Sequence, residues 1–529
     1  MRFSFSLLPL YSGIFAIIAI AAPYGYVMAP CVLVPLVLYA RNIHRTRRMA
    51  YQGGFLSGVM AGGISTFWFW GAYPLSWAGF TSPLLAGIVV GTAWIFSSLT
   101  IGIFTGIWTL FMRSPHHTLI KDVLYGASAW TLLSFVRSFA YAVLWWGKGA
   151  SIGPYWDFGN LGTSFADSSF LVSITSLGGP YLFEFIIAGS AVAITHLISA
   201  YPKRHLGTMA QSVGILILFL FITPSIGHIL HPHDTAESIS ATAISLNEPS
   251  VFGATKIDHA RKQTRAKQYI DTAITSGIRT NILILPEDTG LLGSLSLDAR
   301  RQILDPLAQS SSFLATDSET NRTEDGSLIL TAQYIDATGT LVGQGQKRFL
   351  APFGEYLPYI VTTFSKIFGQ GHWADTFTTR RGYTHGTAIE SISSKGLFSL
   401  TVLFCSETTP MSLYTEASDN GTTVFANAAS HGAFTGHPLL GKYVLRKAII
   451  HAVTHARPFI QAGNMTPSFI IDGNGHIVTS SLRGETGFIS GNISLKKERT
   501  VADYAQNWIL LCATILLIGN AYTIYRNTT

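Results

Sequence analysis

Three residues of this chain stand at expected strand ends, and their types fit covalent acyl chemistry. Cys405 ends the run 397–404 and is followed by Ser406 and Glu407. Glu287 follows the segment Asn-Ile-Leu-Ile-Leu-Pro at 281–286. Lys347 opens the segment Lys-Arg-Phe-Leu-Ala-Pro-Phe-Gly-Glu at 347–355. A carboxylate takes a thiol proton as general base, while a nearby ammonium favours the thiolate and stabilises an oxyanion. These are the requirements of acyl transfer through a thioester. Taken singly, each residue has a plainer reading. A buried cysteine is a small hydrophobe, and an isolated Glu or Lys is a solvated surface charge. Cys405 is the only cysteine of the long polar stretch between the last two apolar runs, since Cys31 and Cys512 lie inside such runs. A single thiol has no partner for a disulfide within that stretch.

The surrounding composition says what must position these residues. The chain has 529 residues, 48% hydrophobic and 12% charged, about half the charged share of a soluble domain, which is ~25%. Long apolar runs fall at 5–22, 24–40, 52–72, 83–112, 123–146, 169–199, 209–231 and 506–525. Each is long enough to cross a hydrocarbon core of about 30 Å, so eight spans are expected. The first run lacks a small-residue cleavage site and leads straight into the second through Ala22, Pro23, Tyr24 and Gly25, so it is kept as a span.

Charge sets the orientation. Residues 232–505 hold 23 Lys and Arg against 24 Asp and Glu, and the remainder holds 12 against 4. The basic excess belongs to the apolar part and is a topology signal, which excludes a nucleic-acid footprint. Arg41, Arg45, Arg47 and Arg48 follow the second run, Arg113 and Lys121 the fourth, Lys203 and Arg204 the sixth, and Arg526 the last. The opposite loops are nearly free of Lys and Arg. Both termini are thus expected inside and residues 232–505 outside, in a bacterial inner membrane with the large domain in the periplasm. The expected division is a bundle of seven spans at 1–231, an outward catalytic domain at 232–505, and a last span with a short tail at 506–529. Arg137 and Glu184 interrupt apolar runs and are expected to face protein or a water-filled cavity, as a helix–helix pair or through a shift of the span toward the interface, rather than to act chemically.

Residues 232–505 alternate strand-like and helix-like segments. Strands are expected at 239–246, 281–285, 312–315, 328–335, 397–404, 422–426, 459–462, 468–472, 476–479 and 487–494, and helices at 260–275, 298–308 and 441–455. Asp472, Gly473, Asn474 and Gly475 form a hairpin signal. The pattern fits a two-layer or four-layer α/β domain. It contains no internal sequence repeat. Metal and nucleotide readings fail. His116 and His117 lie in a loop, His451 and His455 stand one helical turn apart without an accompanying carboxylate, and there is no phosphate-binding glycine loop. Neither a metal nor a cofactor is expected.

The order Glu287, Lys347, Cys405, with the 347–355 segment and the Cys-Ser-Glu at 405–407, resembles the nitrilase superfamily. Joined to eight apolar runs, it resembles the apolipoprotein N-acyltransferase family over essentially the whole chain. That resemblance implies an αββα sandwich standing on the periplasmic face of a transmembrane bundle. It implies an acyl chain passing from a phospholipid, typically phosphatidylethanolamine, to the cysteine, and then to the α-amine of a diacylglyceryl apolipoprotein. It makes Cys405 the nucleophile, Glu287 the general base, Lys347 the oxyanion partner with help from a backbone N–H, and Glu355 and Glu407 supporting carboxylates. For Glu355 a turn-fixing hydrogen bond is the equal alternative.

The chain departs from the family pattern in places. An Asn-Asp-Ala-Trp-Phe-Gly-like segment is replaced by Asn-Ala-Ala-Ser-His-Gly at 427–432. Ser406 replaces an aromatic, Ile257 a Trp, and Ser134 a Glu, and Asn464-Met465-Thr466 replaces Asn-x-Gly. A divergent member is expected. The segments 360–368 and 373–377 are expected to form a lid at the membrane interface, and Tyr141, Trp145, Trp146, Tyr155 and Trp156 either serve that site or form an aromatic belt. Two other readings stay open: a membrane-tethered amidase or nitrilase-type hydrolase using water as acceptor, and a catalytically impaired scaffold indifferent to loss of Cys405.

Overall fold

The computed structural model describes residues 5–42, 46–113, 118–252, 254–505 and 507–528. Arg45, His116, His117 and Gln506 lie outside the described residues, as does the side chain of Arg526. Among the described residues, four helices are long and apolar enough to cross a membrane: Pro83–Phe111, Leu119–Leu144, Leu171–Ala200 and Leu206–Ile229. Leu8–Ala21, Gly25–Ala40 and Trp508–Asn520 are shorter apolar helices.

Among the described residues the expectation of eight full spans is therefore corrected to four, and for the second and third runs the reasons are local. Pro30 and Pro35 cannot donate to a helical ladder, so the second run breaks into the 3-10 turns Gly25–Val27 and Ala29–Cys31 before the helix Val34–Ala40. The third run becomes Arg47–Ser65, which opens on two arginines and carries five glycines. Those glycines trade hydropathy for close packing. A methyl group on Gly58 would come within 2.7 Å of Thr105 Cβ, and one on Gly62 within 2.7 Å of Ser98 Cα. Small residues of this kind let two helix backbones approach closely.

Among the described residues the polar domain has twelve strands. The first five are β1 Ser238–Ser245, β2 Ile282–Ile284, β3 Leu314–Arg322, β4 Leu328–Asp336 and β5 Leu341–Gln346. Next come β6 Ile392–Ser394, β7 Phe398–Phe404, β8 Val424–Ser430 and β9 Phe459–Asn464. The last are β10 Phe469–Ile471, β11 Ile477–Ser480 and β12 Gly487–Ser494. They form two six-stranded sheets, ordered β12-β1-β2-β3-β4-β5 and β11-β10-β9-β8-β7-β6. In each, three consecutive strands run parallel and the next two return antiparallel: β1–β2–β3 then β4 and β5, and β7–β8–β9 then β10 and β11. The topology repeats although the sequence does not.

Period-2 alternation assigns the faces. Ile282 and Ile284 point between the sheets to meet Leu400, Val402 and Phe404. Leu283 and Leu285 point outward to helices Lys256–Thr275 and Leu297–Leu304. Both faces are covered, so these strands are continuously apolar. Helices Met411–Asp419 and Pro438–His455 cover the second sheet, which completes four layers, α-β-β-α.

The core beneath Pro438–His455 is continuous with the helical bundle. Arg446 of that helix holds Asp167 with two bonds of 2.7 and 2.6 Å, and Lys447 holds Asp157 at 2.9 Å. Strand β3 runs past the expected 312–315 because its polar half, through Arg322, pairs in a hairpin with β4. Residues 360–367 and 373–377 lie on two helices, Tyr359–Ile367 and Gly371–Arg381, and Phe368 caps the first. Trp373 of the second donates to the Ala78 carbonyl at 3.0 Å.

Candidate active site

Strand β7 delivers Cys405 to a turn that few side chains tolerate. Its φ is +33°, and the chain passes at once into the 3-10 turn Cys405–Thr408. A non-glycine residue there is strained and persists only where its surroundings hold it. Glu407 supplies much of that hold. One carboxylate oxygen accepts from the Phe404 amide at 2.8 Å, and the other accepts from the amides of Arg348 at 2.6 Å and Phe349 at 3.0 Å. A single buried side chain thus joins the Cys405 turn to the segment that carries Lys347. Ser406 Oγ adds a bond to the Phe349 carbonyl at 2.8 Å. The Cys405 thiol lies 3.5 Å from the Ser430 carbonyl, at the end of β8.

Lys347 is 1% exposed and lies between two carboxylates. Its Nζ is 2.9 Å from Glu287 Oε1 and 2.6 Å from Glu355 Oε1. The other oxygen of Glu355 accepts the Ala351 amide at 2.7 Å, so Glu355 makes both an ion pair and a turn-fixing bond. Glu287 follows β2, and Lys262 steadies its backbone by donating to the carbonyls of Glu287 and Asp288 at 2.6 and 2.8 Å. The structure brings the five residues singled out in the sequence to one place: Glu287, Lys347, Glu355 and Cys405 line one cleft, and Glu407 lies beneath it.

Burial pushes the Cys405 thiol up to about 12, Glu287 adds to that, and Lys347 pulls against it. The thiol is therefore neutral at rest near pH 7. Burial also raises Glu287 above the ordinary carboxylate range, against the pull of Lys347. For Lys347 burial works downward, but the carboxylates of Glu287 and Glu355 outweigh it and hold the ammonium well above its usual value. Burial lifts Glu407 to about 7, with Lys347 and the three amides opposing. The site thus holds a protonated thiol beside a carboxylate of raised basicity and a fixed cation. Such a set moves the thiol proton to a carboxylate as sulfur attacks; it does not store a thiolate.

Cys405 opens onto two unlike spaces. The cleft just described also takes in Glu248, Lys262, Arg381 and Tyr383. On its other side is an apolar cavity walled by Trp68, Trp145, Trp156, Phe158 and Phe353, mostly from the bundle. A second apolar space lies between Pro83–Phe111 and the helices Tyr359–Ile367 and Gly371–Arg381, and it shares Val89, Ala93, Trp145 and Phe353 with the first. Of the five aromatics noted in the sequence, Trp145 and Trp156 line the cavity, and Tyr155 packs on Phe349 with ring centroids 5.1 Å apart. Trp146 packs on Tyr359, and Tyr141 donates to the Ser97 carbonyl inside the bundle.

Arg137 and Glu184 do not pair directly. Arg137 bonds Asn160, while Glu184 accepts from Trp130 Nε1 at 2.6 Å and the Gly162 amide at 2.7 Å. Sequence reasoning missed Lys262, Thr408 and the Ser430 carbonyl, whose local sequences carry no chemical signal. Among the described residues, no group of three or more His, Cys, Asp or Glu is placed to hold a metal ion.

The chain matches no protein-family profile. It is 25% identical over 348 residues to the apolipoprotein N-acyltransferase of Gloeobacter violaceus, covering 64% of this chain and 61% of that protein. It is 22% identical over 539 residues to that of Rhizobium rhizogenes, covering 93% and 90%. The match thus spans about three fifths of the Gloeobacter relative's length and nearly all of the Rhizobium relative's. Among solved structures, the chain is similar to Nit3 of Saccharomyces cerevisiae, a member of branch 10 of the nitrilase superfamily, with a TM-score of 0.35, 16% identity, and coverage of 49% of this chain and 90% of that one. An amidase from Nesterenkonia sp. AN1 gives a TM-score of 0.32 and 15% identity, covering 48% and 92%. By sequence, the chain is similar to proteins named apolipoprotein N-acyltransferase, at 25% and 22% identity in these two cases.

Proposed function

We propose that this protein is an apolipoprotein N-acyltransferase that works by a ping-pong reaction through a Cys405 thioester. One observation carries the reading: a single thiol opens both onto a charged cleft with Glu287, Lys347 and Glu355 and onto an apolar cavity reaching the bundle. An acyl chain lies in the cavity with its ester carbonyl at Cys405. Glu287 takes the thiol proton as Sγ attacks, and Lys347 holds the oxyanion. The tetrahedral centre collapses with loss of the lysophospholipid alkoxide, which receives the proton from Glu287. The α-amine of a diacylglyceryl-cysteine then attacks the thioester carbon, gives a proton to Glu287, and leaves as the amide while sulfur is reprotonated. Glu355 orients Lys347, and Glu407 holds the turn.

The donor is a phospholipid, phosphatidylethanolamine first among candidates, and the acceptor is a diacylglyceryl apolipoprotein. The chain resides in a bacterial inner membrane, with residues 1–231 as the membrane bundle, 232–505 as the periplasmic catalytic domain and 506–529 as a C-terminal anchor. The basic ends of the bundle helices, at Arg47, Lys121 and Arg204, support that placement, because they lie at the ends away from the catalytic domain.

Transfer from phosphatidylethanolamine vesicles to a diacylglyceryl-cysteine peptide tests the reading. The expected product is N-acyl peptide with wild-type protein and none with Cys405→Ala. Release of free fatty acid without N-acyl peptide would instead favour a hydrolase.

A further inference from the structure

Behind the Cys405 turn, on the face of the second sheet away from the cleft, lies a buried polar set whose hydrogen bonds the proposed mechanism does not use, although Thr408 also borders the apolar cavity. Thr408, Asn427 and His451 are each fully buried. The Thr408 hydroxyl donates to the Cys405 carbonyl at 2.8 Å and accepts from Asn427 Nδ2 at 2.9 Å. The Thr408 carbonyl lies 2.7 Å from His451 Nε2. A carbonyl only accepts, so Nε2 carries the proton in that bond. Nδ1 is buried with no partner, so a second ring proton would have nowhere to go. Burial likewise holds the imidazole well below its ordinary range. The ring is clamped by Tyr414, whose centroid is 3.7 Å away in a stacked arrangement.

His451 stands on Pro438–His455, one turn beyond Lys447, which is paired to Asp157 of the bundle. The helix that anchors the domain to the bundle therefore also reaches the nucleophile turn. Cys405 sits at φ +33°, a conformation that persists only where neighbouring bonds over-determine it.

We propose that His451 is a positioning residue that fixes the Cys405–Thr408 turn through the Thr408 carbonyl, and so sets the attack geometry of Sγ without touching substrate. This rests on Cys405 being the acyl-accepting nucleophile. His451→Phe keeps the ring stack and removes the donor. His451→Gln returns an amide N–H near the place of Nε2. Thr408→Val keeps the shape and removes the hydroxyl bonds.

The test uses the full chain in detergent micelles with phosphatidylethanolamine. It reads the single-turnover rate of thioester formation, the KM for lipid, and the rate of Cys405 alkylation by iodoacetamide. His451→Phe is expected to slow acylation about 10- to 100-fold, the scale of a 1 Å misplacement, with KM unchanged and with Gln restoring most of the rate. Thr408→Val, at a residue that also borders the apolar cavity, is expected to show the same loss in acylation rate. Equal losses in Phe and Gln, a loss confined to KM, or wild-type rates in Phe and Val overturn the inference. Should wild-type protein form no thioester, the acyl-transfer reading fails and the alkylation rates decide alone. Slowing in Phe with recovery in Gln supports the role of His451, and equal rates overturn it.

Discussion

The cleft on one side of Cys405 is walled by the charges of Glu287, Lys347 and Glu355, drawn from the polar domain. The cavity on the other side is walled by Trp68, Trp145, Trp156 and Phe158, drawn from the bundle. Neither half of the chain makes both. The difference separates two tasks that one environment would serve badly. Proton transfer and oxyanion stabilisation need fixed charge held out of bulk water. Holding an alkyl chain needs apolar surface and gains about 0.8 kcal/mol per buried methylene. A thioester formed where the two spaces meet would have apolar surface on one side and fixed charge on the other.

Changes on the charged side are expected to act on rate. Glu287→Gln should lower single-turnover acylation by about 10²- to 10⁴-fold, the usual share of a general base. Because burial raises Glu287 and the proposed base acts as the carboxylate, wild-type rate should fall as pH drops through a value above the ordinary carboxylate range. A pH–rate profile checks this, and the Gln variant should lose that limb. Lys347→Met should cost about 10²- to 10³-fold in acylation. It should also destabilise the fold by roughly 3–5 kcal/mol, since two carboxylates lose their shared cation, as denaturant titration would read.

On the apolar side the effect is smaller and falls on binding. Ala93→Phe, in the wall shared by the two apolar spaces, should raise KM for a long-chain donor about 10-fold relative to a short-chain one, with iodoacetamide alkylation of Cys405 unchanged. A fall in alkylation would erase the distinction between the two sides. Smallest is Glu407→Gln. One of its three amide donors would face an N–H instead of an oxygen, costing about 1–3 kcal/mol of stability; a thermal shift with the Cys405 chemistry retained would sharpen the view that Glu407 holds the turn.

The charged side was far more legible in the sequence than the apolar one. Glu287 and Cys405 each follow a short apolar run and Lys347 opens the distinctive segment 347–355, features that local sequence announces. The topological repeat was not legible, because β5, Leu-Val-Gly-Gln-Gly-Gln, and the polar half of β3 have no apolar alternation and owe their pairing to neighbours distant in sequence. Span lengths were overcounted where Pro30, Pro35 and the glycines of Arg47–Ser65 cut apolar composition into short or close-packed helices. The cavity was hidden for a different reason. Trp68, Trp145 and Phe353 are far apart in the chain, and nothing in their own segments tells that they share a wall. His431 stands in an altered segment, yet it lines the same cavity.

The central claim is that Cys405 accepts an acyl chain from a membrane lipid. Intact mass of the purified protein after incubation with phosphatidylethanolamine, beside Cys405→Ala, tests it most directly. The account predicts a gain of one acyl chain that hydroxylamine removes and that the alanine variant lacks. A folded wild-type protein that gains no mass, or a variant that gains the same mass, would contradict it.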